Sequence, residues 1–184
     1  MKSSLNLPDT ARFESDSIER RIISSVEQLD IDLARSVLVG SAALKLYGVE
    51  LPGNRPGDVD LTLDASQFIE LYEARKTPSG LSLAPMVENR NPKFSILEIP
   101  GDQARLPVDA ITQFDARTTS QAHYDKKFQA HYQKHAVTLP GASGVRIATP
   151  DYLRRTLKAQ SGDPKHRADL AAFERAERTA RKNR

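Results

Sequence analysis

Between Val37 and Asp64 the chain reads VLVGSAALKLYGVELPGNRPGDVDLTLD, and no other segment restricts the fold as strongly. The short apolar run Val37-Leu38-Val39 is cut off by Gly40-Ser41. A small-residue stretch then runs in helical fashion to Tyr47, where Gly48 stops it. After a Pro/Gly-rich loop, Asp58-Val59-Asp60-Leu61 alternates acid and apolar residues with period two. On a strand, that period sets Asp58 and Asp60 on one face, with Cα atoms about 7 Å apart, and turns Val59 and Leu61 toward a core. Two carboxylates placed this way after a glycine turn suit the capture of a hard divalent cation beside a bound phosphate. Gly40 permits close backbone approach, and the Ser41 hydroxyl and N–H are phosphate donors at a helix start. Arg55, just before the acid pair, is placed to reach the same phosphates.

The rest of the chain alternates helix and strand signals. Asp16-Ser17-Ile18-Glu19 has the form of a capping box, and Ile18, Ile22, Val26 and Leu29 form the apolar stripe of the helix it opens. Strands are expected over Val37–Val39 and Asp58–Leu63, and over Phe94–Ile99 and Leu106–Ile111, the last two paired about Pro100-Gly101-Asp102. Helices are expected over Ser41–Tyr47, Ser66–Arg75 and Thr119–His135. Two more follow, one from Pro150 with Thr149 as its cap and one after the Gly162-Asp163-Pro164 break. Ala136–Leu139 and Val145–Ala148 flank a Gly-rich turn, and residues 77–92 read as a loop with a short strand near Met86-Val87. Asp64, Asp102 and Asp115 read as cap or turn residues.

Gly40-Ser41, the spacer and Asp58-Val59-Asp60-Leu61 together resemble the signature of the DNA polymerase β-type nucleotidyltransferase superfamily. Within it the chain is most similar to the small bacterial minimal nucleotidyltransferases, which include the abortive-infection and toxin–antitoxin enzymes. The family takes a third carboxylate from a later strand. In this sequence that residue is Asp109, in Arg105-Leu-Pro-Val-Asp-Ala-Ile-Thr112. The resemblance continues at Thr149-Pro-Asp-Tyr-Leu and at KAQSGDPKHRADL, from Lys158 to Leu170, where family members carry a helical lysine, a Pro-Lys pair and a terminal Asp-Leu. It covers Ser36 to Phe173 and departs in two places. The spacer from Ser41 to Asp58 is longer than usual, the excess falling in Leu51–Gly57, and His166 stands where a carboxylate often follows the Pro-Lys pair.

The resemblance implies an α+β fold, a nucleotidyltransferase-like mixed central sheet flanked by helices with a helical C-terminal part. Residues 1–150 would be the catalytic core and residues 151–184 a basic helical segment packed on it. It implies transfer of a nucleoside monophosphate from a nucleoside triphosphate such as ATP to a hydroxyl of RNA, protein or a small molecule, with Mg²⁺ or Mn²⁺ as cofactor. Asp58, Asp60 and Asp109 are then the catalytic acids and metal ligands. Gly40, Ser41, Arg55, Lys158 and Lys165 are the nucleotide contacts. A tRNA or protein acceptor and an antitoxin protein are the partners it implies. The competing class is a non-catalytic nucleotidyltransferase-like domain that binds nucleotide, RNA or a partner protein. The presence of all three acids favours the enzyme. A two-metal nuclease would share the acids but not the Gly-Ser turn or the lysine helix.

Charge is unevenly spread. Residues 151–184 hold ten Lys/Arg against five Asp/Glu, whereas residues 1–150 hold seventeen against nineteen. The basic end suits phosphate at Lys158 and Lys165, while the tail from Arg175 reads as a solvated, fraying helix face. There is no cysteine, so disulfides and thiolate metal sites are excluded. The opening MKSSLNLPDTARFESD lacks the apolar run of a signal peptide, and no segment is apolar enough to span a bilayer; a cytoplasmic protein with no membrane partner is expected. His131 and His135, spaced i, i+4, lack the Glu and the third ligand of a zinc helix and read as a surface pair. His166 falls in the C-terminal motif, and Asp169 is placed to orient Lys158 or Lys165 or to pair with Lys165 along an exposed helix.

Overall fold

The acid/apolar alternation at 58–61 becomes the centre of a mixed seven-stranded sheet. The computed structural model describes residues 3–53, 55–74, 83–86, 93–114 and 126–183. Its strands are β1 (Val37–Leu38), β2 (Val59–Thr62), β3 (Leu83–Met86), β4 (Lys93–Ile99), β5 (Val108–Phe114), β6 (Ala136–Thr138) and β7 (Arg146–Ala148), in the order β3-β4-β5-β2-β1-β7-β6. β5 runs parallel to β2, and β7 parallel to β1; the other neighbours are antiparallel. Among the described residues six α-helices accompany them: α1 (Ile18–Glu27), α2 (Gly40–Leu46), α3 (Ala65–Ala74), α4 (Lys126–Lys134), α5 (Pro150–Ala159) and α6 (Pro164–Lys182). The fold is therefore mixed α+β with a helical C-terminal region.

Register explains why the strands hold together. Leu38 pairs with Ile147 and with Leu61, Leu61 with Ala110, and Ala110 with Leu97. All five are fully buried. They form an apolar row running across five strands, with Ile22, Ile23, Val26, Ala42, Ala43 and Phe173 of the helices in the same core. Side chains alternate faces along a strand, so slipping β2 by one residue would bring Asp60 into this row. The penalty for burying an unpaired carboxylate pins the register.

Helix ends follow local chemistry. The Ser17 hydroxyl caps α1 by accepting the Arg20 N–H at 3.1 Å. Asp64 caps α3 through Gln67 N–H at 3.1 Å, and Asp163 caps α6 through Lys165 N–H at 2.7 Å. Asp102 accepts Ala104 N–H in its turn. Asp115 and the first part of the helix expected from Thr119 lie outside the described residues.

Three expectations need correction. Asp58 sits at a bend before β2, not in the strand. Thr149 precedes α5 but makes no side-chain capping bond; Pro150, at the first helical position, starts the helix by its preset φ instead. The C-terminal tail does not fray: Arg175, Arg178 and Arg181 are exposed, as a solvated helix face requires, but α6 runs on to Lys182. Glu177 is buried, its carboxylate meets Arg154 at 3.4 Å, and its backbone carbonyl accepts the Ser4 hydroxyl at 3.0 Å. Among the described residues no helix is long and apolar enough to cross a membrane.

Candidate active site

One step along the strands from the apolar row lies an acidic one. Asp60 on β2 is the register partner of Asp109 on β5, and Asp109 is the partner of Glu98 on β4. Laterally paired residues project from the same face of a sheet. Three carboxylates from three strands therefore share one face, with Asp58 half-buried at the bend leading into β2. The spacing in sequence, 11 positions from Glu98 to Asp109, is invisible to any periodic pattern; only the antiparallel pairing of β4 with β5 brings Glu98 to the row.

The row is electrostatically strained. Burial, then the charges of Asp58 and Asp109, push the Asp60 carboxyl from 3.8 up to about 6, with Lys165 acting in the opposite direction. Asp109 is also raised, by burial first and then by Asp58 and Glu98. Lys165, exposed on the first turn of α6, is thus near enough for its charge to act on Asp60. Lys158 is exposed on the last turn of α5, and the structure gives it no contact to them.

The Gly-Ser turn abuts this row. Val39 N–H donates to the Asp60 carbonyl at 3.0 Å, which sets Gly40 beside Asp60. Gly40 has φ +65°, and a Cβ there would overlap Asp60 Oδ2 and lie 2.9 Å from Cγ. The glycine serves both the left-handed turn and the seat of the carboxylate. Ser41 follows, buried within α2.

Arg55 is placed differently from expectation. It is not a free phosphate ligand: Nη1 donates to Asp169 Oδ2 at 2.8 Å, and Nη2 lies 2.5 Å from Oδ1 as an ion pair without hydrogen-bond geometry. Asp169 is in turn neither exposed nor paired with a lysine; it is buried on α6 and ties that helix to the loop before β2. His166 is half-buried, with Nδ1 buried and without a hydrogen-bond partner.

A second set of residues borders the acids and carries no sequence signal beyond the His131/His135 spacing. Gln129 on α4 donates to the Thr62 carbonyl at 3.5 Å and to the Arg35 carbonyl at 2.5 Å, which ties α4 to the last residue of β2 and to the chain just before β1. Tyr132, one turn further, comes within the field of Asp60; burial, Tyr152 and Asp60 together raise its phenol.

Asp58, Asp60 and Asp109 are hard oxygen donors whose mutual repulsion a cation would relieve, so the donor set fits a divalent metal by chemistry and charge. Among the described residues, however, no three His, Cys, Asp or Glu side chains already converge into a metal-binding group. No family model, curated protein or solved structure matches the chain, so the acid row and the residues around it carry the case for function.

Proposed function

We propose that the protein is a divalent-metal-dependent nucleotidyltransferase that moves a nucleoside monophosphate from a nucleoside triphosphate to a hydroxyl group. The observation that carries the reading is the in-register pair Asp60–Asp109 on parallel strands, with Asp58 one bend away and Gly40 pressed against Asp60. In this reading the sheet is the nucleotidyltransferase-like core and Asp58, Asp60 and Asp109 hold Mg²⁺ or Mn²⁺. The bound metal would supply charge neutralisation at the transferring phosphoryl group. Asp109 accepts the proton of the attacking hydroxyl; burial, Asp58 and Glu98 raise its carboxyl above the ordinary carboxylate value, which makes it a stronger base. Gly40 and Ser41 receive the triphosphate at the turn, and Lys165 adds a positive charge on the side of Asp60. An acceptor on tRNA or protein, and an antitoxin that would restrain the enzyme, belong to this proposal as well.

The test is direct. The protein is incubated with each labelled nucleoside triphosphate, Mg²⁺ and either total tRNA or cell lysate. Label should pass to one acceptor class, and Asp109→Asn should abolish it. Binding of triphosphate with no transfer to any acceptor would favour a non-catalytic nucleotide-binding domain.

A further inference from the structure

Beside the acid row, four aromatic rings from α4, the residue after it, and α5 meet at the surface. His131 and His135 lie with ring centroids 5.0 Å apart, and His135 stacks on Tyr152 at 5.2 Å with an interplanar angle of 15°. Tyr132 meets Tyr152 edge-on at 5.5 Å, and His131 meets Tyr152 at 5.4 Å. The Arg155 guanidinium lies 5.9 Å from the Tyr152 ring centre, and its Nη2 approaches His135 Nδ1 at 3.5 Å. Lys134 is exposed next to them.

Topology fixes where this cluster stands. β1 and β7 are parallel, with Leu38 opposite Ile147, so Gly40 and the start of α5 leave the same edge of the sheet. Thr149 N–H donates to the His135 carbonyl at 2.8 Å, which joins the end of α4 to the start of α5 at that edge. Along the other direction, Gln129 reaches the Thr62 carbonyl, and Tyr132, one turn on, lies within the field of Asp60. Packing accounts for Tyr132 and Tyr152, which lock α4 to α5. It does not account for His131, which is exposed, or for His135, which is only half-buried. Burial, Arg155, His131 and Lys134 hold His135 below its ordinary value.

We infer that this cluster is a stacking platform for a nucleobase, with Arg155 and Lys134 meeting the attached phosphates. Aromatic faces bind any base through its π-surface, and adjacent cations hold the backbone. The inference rests on the nucleotidyltransferase reading for the class of ligand. The base belongs either to the incoming nucleotide or to a single-stranded acceptor.

The experiment measures binding without metal, using ATP and a labelled short oligoadenylate as probes. Tyr152→Leu and His135→Ala should each weaken a probe about tenfold, and Tyr152→Phe, which keeps the ring, should bind like wild type. Weakening of ATP identifies the incoming nucleotide as the source of the base; weakening of the oligonucleotide alone identifies the acceptor strand. His131→Ala, at an exposed position, keeps the test open where Tyr152→Leu disturbs the α4–α5 contact. Unchanged binding of both probes in Tyr152→Leu, His135→Ala and His131→Ala, equal losses in Tyr152→Leu and Tyr152→Phe, or no binding of either probe by the wild type would overturn the platform. The two readings fail separately: intact transfer in Asp109→Asn sinks the assignment of the acids and leaves ring-dependent binding untouched.

Discussion

Gly40 and Asp60 share one space: the carboxylate of Asp60 lies where a side chain at position 40 would begin. Gly40→Ala therefore suffers twice, from a residue forced to φ +65° and from displacement of the acid. It should lose about 2 kcal/mol of stability, of which about 1 kcal/mol is the backbone cost. In the double variant with Asp60→Ala the clash disappears, so the two effects should be clearly non-additive in denaturant titrations. Simple additivity would show that the turn and the carboxylate are independent.

Asp60 makes the site acid-sensitive in an unusual sense. Its folded-state pKa is raised from 3.8 to about 6, so the folded protein holds this proton more tightly than the unfolded chain. The stability it contributes is fully present below about pH 4 and is lost as pH rises through about 6. Asp60→Asn should therefore stabilise the protein at pH 8, by on the order of 2 to 3 kcal/mol, and this gain should vanish near pH 4. Thermal unfolding of both proteins across that range checks it; a gain independent of pH would refute the charge crowding.

Asp109 should behave as a chemical rather than a structural residue. Asp109→Asn removes a half-buried charge that Asp58 and Glu98 oppose, so Tm at neutral pH should hold or rise. Triphosphate binding should survive while turnover falls by at least a hundredfold, on the order expected for a lost base. Glu98→Gln should lower the pKa of Asp109, visible in a carboxyl-carbon NMR titration. An unmoved titration would separate Glu98 from the row.

The Arg55–Asp169 pair should act on folding. Arg55→Ala leaves a carboxylate buried without its partner, and a loss of about 3 kcal/mol or more is expected. Arg55→Met with Asp169→Leu should recover part of it. Urea unfolding provides the measurement, and a stable Arg55→Ala protein with weakened nucleotide affinity would return Arg55 to the phosphate site.

Lys165→Ala should weaken triphosphate binding roughly tenfold, the cost of one charged contact, and should raise the pKa of Asp60 further. Lys158→Ala serves as the comparison, since Lys158 is exposed without a contact to the acids. Truncation after Glu174 should unfold the C-terminal helices, because it deletes Glu177, which Arg154 and Ser4 hold. Equal nucleotide affinity in the wild type and Lys165→Ala would remove Lys165 from the site.

By itself the sequence determined what is local. Period-two alternation at 58–61, the glycine at the end of β1 and the Asp/Ser/Pro signals at helix starts act within a few residues, so the central strands, most helices and the acids Asp58, Asp60 and Asp109 were readable as candidates. The tertiary structure alone decided what depends on distant partners. Pairing β4 with β5 put Glu98 beside Asp109, and packing α6 against the loop before β2 gave Arg55 a buried partner in Asp169. The junction at Thr149 and His135 gathered four rings that lie 21 positions apart from first to last, although only His131 and His135 have a telling spacing. Strand register and helix docking are selected by the burial of the whole core, a sum over contacts distant in sequence, and no short window of residues contains that sum.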